Sequence, residues 1–400
     1  MNVRQSRLLE DLAGLFRGEI RCDRVTTSLY STDGSLYQIT PFGVAFPLDR
    51  DDVVTLVRYA AEQRIPLIPR GSGTGVAGES LGDGLIVDFS RHLRRIESLD
   101  GDRVTVGAGV VHQELNHWLR AHGRYFPPDP ANTATTTVGS MLALDAAGSH
   151  SVRVGSVRDH VHQLELVTAS GDVFSTGQES LAQLQEWIPP DVAPPQQTKR
   201  LILRRLARLL REHRQLIAER QPIALFRNRA GYFLRGVLSE HALNLPRLLV
   251  GSEGTLALFT EATLHTAPLP AHRGALLLVF EGLESAAAAV QTVALQQPSA
   301  CDLIDRRLLS LARDTDPRFA AVIPASAEAA LLVEQTGYSA RQVLERLNML
   351  KLAVRELPHP GSVSFETGDP AQVDWLWTLP HRVVPVLNRL GGHVRPVPFV

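Results

Sequence analysis

The sequence predicts an α+β protein, and three observations carry that prediction. Residues 44–110 alternate strand-like runs with helical ones. A glycine loop at residues 70–80 breaks this alternation between two strands, and a second strand–helix alternation begins beyond Pro268-Leu269-Pro270. Four hundred residues, 44% hydrophobic and 21% charged, suffice for two or three domains with separate cores. At a net charge of −1 nothing overall recruits nucleic acid or an acidic membrane, and no apolar run reaches the length of a membrane span. The expected location is therefore cytoplasmic, with no nucleic-acid partner. Cys22 and Cys301 lie far apart and form no C-x-x-C, which excludes a disulfide framework and a cysteine-ligated iron–sulfur cluster within these residues.

Taken in order, residues 1–38 read as an N-terminal helical segment, with an amphipathic helix from about Leu8 to Phe16 and no signal-peptide core. Val44-Ala45-Phe46 is a short strand. A helix over residues 51–61 opens on Asp51 and Asp52, whose charge suits the positive end of the helix dipole. Strand-like runs at residues 65–69 and 85–89 flank the glycine loop. Val104-Thr105-Val106 is a strand, Gly107-Ala108-Gly109 a tight turn, and a helix follows from about Val111 to His122. Residues 124–177 are irregular and rich in glycine and threonine, the composition of a segment that lines a ligand, and end on a strand at 164–169. A stiff proline-rich linker at 187–198 leads to a basic helix from Lys199 to about Arg220. Ile202, Leu206, Leu209, His213, Leu216 and Ile217 are expected on its apolar face, and its arginines on a solvated face that binds no nucleic acid. The linker and helix form an insertion at about 187–245 within a domain spanning 39–270. Leu248-Leu249-Val250 reads as a strand before a second turn, Gly251-Ser252-Glu253-Gly254. Residues 271–400 form a separate α+β domain, with strands at 275–280, 302–304 and 330–333 and helices at 284–297 and 340–357.

The glycines at 71, 73, 75 and 78 leave backbone without Cβ cover, free to take positive φ and to point successive N–H groups at an anion. Gly73-Thr74-Gly75-Val76-Ala77-Gly78 also spells G-x-G-x-x-G. That fingerprint requires the glycines to open a helix, whereas Gly82 and Gly84 and then a β run follow here. No Gly-Lys-Ser/Thr follows either, so a Walker A loop fails. A phosphate cradle for a flavin diphosphate remains, against the alternative of an ordinary glycine-rich turn.

Three separated motifs then converge. Arg70-Gly71-Ser72-Gly73-Thr74-Gly75, the pair Pro127-Pro128-Asp129-Pro130 and Val138-Gly139-Ser140-Met141, and Val250-Gly251-Ser252-Glu253-Gly254-Thr255-Leu256 resemble the FAD-linked oxidase family of the vanillyl-alcohol oxidase / para-cresol methylhydroxylase superfamily. Within it the chain is similar to the D-lactate, glycolate and D-2-hydroxyglutarate dehydrogenase branch, from about residue 16 onward. Tyr30-Ser31-Thr32-Asp33, residues 154–160 and Asn228-Arg229-Ala230-Gly231-Tyr232 are further matches. The resemblance implies a two-lobed FAD-binding domain of the para-cresol methylhydroxylase type, followed by an incomplete ferredoxin-like α+β cap. It implies that the amides of Gly71, Ser72, Gly73, Thr74 and Gly75 hold the FAD diphosphate, with Gly78 and Ser80 completing the loop. Val138, Gly139 and Gly148 would approach the isoalloxazine and ribityl chain, Val167 the adenine, and Glu253 and Gly254 would close the site. Arg70, Pro128, Thr137, Ser151 and Gly155 complete the implied set. No His or Cys stands between Arg70 and Ser80, so the FAD is expected to be non-covalent.

The activity implied is oxidation of a small D-2-hydroxy acid by hydride transfer to flavin, with electrons passing on to an acceptor such as an iron–sulfur protein or a quinone chain. A non-catalytic FAD-binding homologue and a flavin oxidase of another alcohol are the alternatives. Departures from the family pattern bear on that choice. Leu144-Asp145-Ala146-Ala147-Gly148 stands where relatives carry Asn-Asn-Ser-Ser-Gly, Ala257 stands where they carry glycine, and Pro380 occupies the place of their substrate-carboxylate arginine. Arg382 and Arg395 are the remaining candidates for holding substrate, since an arginine fork suits a carboxylate. The histidine motif of the family's metal and substrate site lies further on than Val400, so no catalytic residue or metal ligand is assigned, and a truncated or a degenerate form is expected.

Overall fold

The computed structural model describes residues 2–185, 193–221 and 231–381. The N-terminal lobe is built on a four-stranded sheet in the order Glu19–Arg21, Gly43–Phe46, Leu85–Asp88, Leu67–Arg70. Leu85–Asp88 runs parallel to both of its neighbours, and Glu19–Arg21 adds antiparallel at the edge, so the N-terminal segment is woven into this lobe. Helix Arg50–Gln63 packs on the sheet through Val53, Leu56, Val57 and Ala60, and Asp49 caps it by accepting from the amides of Asp51 and Asp52. Parallel neighbours need a long crossover, usually helical. Between Leu67–Arg70 and Leu85–Asp88 that crossover is the glycine loop itself.

The second lobe is a five-stranded antiparallel sheet in the order Ile96–Asp100, Arg103–Gly107, Leu258–His265, Val161–Val167, Val173–Thr176. Helices His112–Arg120, Val138–Leu144, Pro194–Glu212 and Leu245–Leu249 cover one face around Leu115, Leu119, Phe126, Met141 and Leu164. At the seam between the lobes Ala108, Val167 and Leu258 leave the second sheet and join the core of the first.

The third unit follows Pro268. Its antiparallel sheet has the order Ala300–Asp305, Ala329–Gly337, His272–Phe280, Ser362–Thr367, and chain order strand–helix–strand–strand–helix–strand makes it ferredoxin-like. Helices Leu283–Leu295 and Ala340–Arg355 cover one face, while Arg306–Thr315, Pro317–Val322 and Pro370–His381 cover the other. Arg306–Thr315 and Pro317–Val322 are both inserted between strands Ala300–Asp305 and Ala329–Gly337.

Several local expectations change. The segment before Gly251 is a helix, Leu245–Leu249, and not a strand: Asn244 caps it from outside and Pro246 fits its first turn, where no N–H is needed. Val138–Leu144 is likewise a helix inside the stretch read as irregular, begun by Thr137, whose hydroxyl accepts from Ser140 N. The basic helix starts at Pro194, inside the span read as linker, and breaks at His213. It buries Leu203, Ala207 and Leu210, not the face carrying Ile202, Leu209 and Leu216, which are exposed. Residues 187–192 of the linker, and Asn228, Arg229 and Ala230, lie outside the described residues.

Candidate functional site

The glycine loop leaves strand Leu67–Arg70 at the seam of the lobes. Gly73 and Gly78 adopt φ of +66° and +85°, which an L side chain rarely adopts. The amides of residues 71–76, six in succession, donate to no acceptor among the described residues. None of these residues is buried, so the row faces outward with its donors open, and a run of this length is a ready site for an anion.

What surrounds the row is fixed by the fold. The Arg70 guanidinium is turned behind the loop, donating to Tyr30 O at 3.2 Å and Thr32 O at 2.8 Å and stacking over the Tyr30 ring at 5.0 Å. Burial lowers its pKa from the ordinary arginine value. Tyr30 in turn donates to Asp88 Oδ2 at 2.5 Å, tying the loop's entry to strand Leu85–Asp88. Gly34 N donates to Gly73 O at 3.0 Å, and Ser80 Oγ to Asp33 Oδ2 at 3.1 Å. Ser72 Oγ donates to Thr135 O, and a side chain on Gly71 would strike the hydroxyls of Thr137 and Ser140 at the head of helix Val138–Leu144.

The other expected contacts lie around the same seam. The amides of Val138 and Gly139 are committed to Val110 O (2.8 Å) and Ala108 O (2.7 Å), so these two residues can meet a ligand only by surface contact. Gly251 and Glu253 donate to Leu142 O and Ala143 O at the far end of that helix, and Gly254 (φ +74°) packs on Pro69, bringing the second glycine turn against the strand that feeds the first. Ser252 Oγ in that turn is buried with no hydrogen-bond partner among the described residues. Val167 and Gly254 line one cleft of about 220 Å³ together with Val57, Ala60, Leu67 and Leu258. Its largely apolar lining suits a flat heteroaromatic ring.

Pro128 is buried beside the half-buried Asp129, and Gly148 lies so close to Asp129 O that no Cβ would fit. Ser151 N donates to Gly148 O at 3.0 Å, and Gly155 (φ +80°) turns over the Asp159 carboxylate. Between Gly148 and Ser151 stands His150. His150 Nδ1 is 2.6 Å from Asp129 Oδ2, and its Nε2 is 3.2 Å from Oε1 of Glu334 on the cap strand Ala329–Gly337. Glu334 is fully buried; it also accepts from Arg273 at 2.9 Å and from Trp377 Nε1 at 2.7 Å. Burial opposes charge on both partners, but the paired hydrogen bonds outweigh it, raising His150 to about 10 and holding Glu334 near 2. The cap is thus docked onto the Gly148–Ser151 segment through an imidazolium. Arg382 and Arg395 lie outside the described residues.

Comparison with known proteins meets this geometry at the same places. A family described as the FAD binding domain matches residues 41–177, and one described as FAD linked oxidases, C-terminal domain, matches 269–400. A D-2-hydroxyglutarate dehydrogenase of Pantoea ananatis is 32% identical over 402 residues, covering 96% of this chain and 39% of that protein. Its Escherichia coli counterpart is 32% identical over 394 residues, covering 94% and 38%. Glycolate oxidase subunit GlcD of Bacillus subtilis is 28% identical over 316 residues, 77% of this chain and 54% of that one. The chain therefore spans about two fifths of the length of the D-2-hydroxyglutarate dehydrogenases it matches. Among solved structures, alkyldihydroxyacetonephosphate synthase shares the fold at a TM-score of 0.68 and 16% identity, over 96% of this chain and 65% of the other.

Proposed function

The chain belongs to the FAD-linked oxidase family, and from that premise we propose that it oxidises a D-2-hydroxy acid of the lactate, glycolate or 2-hydroxyglutarate type. FAD is the cofactor, and when bound it supplies the two-electron chemistry by accepting the hydride from the substrate's α-carbon. The observation that carries the reading is the row of unspent amides at residues 71–76, a built receptor for the diphosphate. With no His or Cys in that loop, the cofactor is held without a covalent bond and can be exchanged.

The chain's own residues divide the remaining work. The amides of residues 71–76 hold the diphosphate, and the cleft lined by Val167 and Gly254 takes the adenine. Gly148 and Ser151 belong to the segment that presents the reacting end to the cap, and His150 fixes that segment against Glu334. Trp377 packs against this junction, its ring 5.3 Å from the His150 ring. Arg382 and Arg395 are the proposed substrate-carboxylate ligands, and an iron–sulfur protein or a quinone is the proposed class of electron acceptor. Among the described residues no helix is long and apolar enough to cross a membrane.

The experiment is a visible spectrum of the purified chain loaded with FAD, before and after anaerobic addition of D-lactate, glycolate and D-2-hydroxyglutarate. Bleaching of the flavin band by one of them is the expected outcome. A band that stays oxidised with all three removes the proposed activity and leaves a flavin-binding protein. Failure to take up FAD removes the site.

A further inference from the structure

We propose that Glu79 is an internal competitor for the flavin diphosphate: a carboxylate seated on the glycine loop that must leave before the phosphates settle there. The inference rests on the FAD reading and concerns how that site is opened. The unbroken run of unspent amides stops at Ala77, whose N donates to Glu79 Oε2 at 3.0 Å, and beyond it the amides of Gly78, Glu79 and Ser80 again find no acceptor among the described residues. The side chain folds back along the loop until its carboxylate covers the open side of Gly75. A methyl group on Gly75 would lie 2.9 Å from Oε2 and closer still to Oε1. Among the described residues no cation pairs with this carboxylate.

A row of N–H groups attracts any anion, and the one the chain itself supplies has taken one place within it. A diphosphate carries the same sign of charge in greater amount. Bringing the two together on one loop is unfavourable by Coulomb repulsion that the half-exposed position screens only in part. Glu79 is free to resolve the conflict by rotating out to solvent, losing one hydrogen bond to Ala77 N. Glu79 therefore lowers the affinity for FAD without touching the reacting atoms, and the cofactor's phosphates, not its ring, feel the effect.

The test uses the full chain stripped of flavin, as wild type and as Glu79→Gln, which keeps an acceptor for Ala77 N and removes only the charge. FAD and riboflavin are titrated by flavin fluorescence at low and high salt. Glu79→Gln is expected to bind FAD about five- to tenfold more tightly at low salt, the gain shrinking to under about twofold in 1 M salt, where the screening length is a few ångströms. Riboflavin, which has no phosphate, is expected to bind both proteins alike. Equal FAD affinities, a gain that riboflavin shares, or weaker FAD binding by the variant would overturn the proposal while leaving the cofactor site intact. If neither protein binds FAD, the cofactor reading itself falls, and this inference with it.

Discussion

His150 Nε2 lies 3.2 Å from Glu334 Oε1, joining a loop of the flavin-binding lobe to a strand of the cap across 184 positions of sequence. Its pH dependence follows from the two shifts. His150 is raised from 6.5 to about 10, so its contribution to stability is complete below the ordinary histidine value and is lost as pH rises through about 10. Glu334 is held near 2, so its contribution is present above the ordinary glutamate value and disappears as pH falls through 2. His150→Ala is expected to lower unfolding stability by about 3 kcal/mol near pH 6, by leaving Asp129 and Glu334 each short of a charged partner. At pH 10.5 the wild-type imidazole is itself largely neutral and the difference should mostly vanish. Urea midpoints for both proteins at the two pH values settle it: a gap of equal size at pH 6 and 10.5 would mean that the bridge is not an ion pair.

Gly73 combines two constraints, a φ of +66° and an Arg70 guanidinium placed where its Cβ would be. Gly73→Val is expected to abolish flavin retention, because the side chain must push Arg70 off Tyr30 and Thr32 and unseat the amides that follow. Gly14 has the same backbone sign (φ +76°) with nothing among the described residues within 4 Å of its Cβ position, which makes Gly14→Ala the control. It should cost about 1–2 kcal/mol of left-handed strain and leave flavin content unchanged. The ratio of flavin to protein absorbance after gel filtration reads both variants, and a full flavin complement in Gly73→Val would refute the placement of the cradle.

That loop was legible in the sequence because its constraint is local. Glycines at 71, 73, 75 and 78, with strands on both sides, leave few other structures, and the missing helix after Gly78 was equally readable. Helix Val138–Leu144 was hidden by threonines that look like loop residues until Thr137 is seen to cap. The apolar face of the basic helix was misjudged because leucines stand on both sides of it, and only the position of the second sheet decides that Leu203 and Leu210 go inward. His150 gave no signal at all. Its partners Asp129 and Glu334 come from a proline-rich turn and a cap strand, and only the folded chain brings them to one ring. Ion pairs of that kind have no sequence spacing.

Arg158 presents a buried pairing of the same long-range type. Its Nη1 is 2.6 Å from Asp145 Oδ2, its Nη2 donates to Val250 O at 2.6 Å and its Nε to Arg247 O at 2.9 Å. Asp145 sits at φ +52° as the cap of helix Val138–Leu144, so one guanidinium ties that helix end to the segment leading into the Gly251 turn. Arg158→Met should destabilise by about 3–5 kcal/mol, since a buried carboxylate loses the guanidinium 2.6 Å away. Adding Asp145→Asn, which tolerates the left-handed backbone, should recover part of that loss. Thermal denaturation of the two single variants and the double variant tests the coupling; strictly additive effects would show that the pair does not act as one unit.

Arg70 acts on the glycine loop from behind, and the distinction between its charge and its shape is measurable. The guanidinium reaches Tyr30 O and Thr32 O with two separate nitrogens while lying flat on the Tyr30 ring, and Gly34 N closes the same corner by donating to Gly73 O. A lysine would keep the positive charge but offers one compact ammonium on a flexible stem, unable to span both carbonyls or to stack as a plane. Arg70→Lys is therefore expected to loosen the corner between residues 30–34 and the loop, weakening FAD binding about tenfold through loss of one to two hydrogen bonds to a charged group. Hydrogen exchange separates this from a simple charge effect. If Arg70 positions the loop, the Gly34 amide should exchange faster in Arg70→Lys, with or without FAD. If only its charge mattered, the lysine variant would match wild type in both affinity and Gly34 protection, and the role of the fork would be disproved.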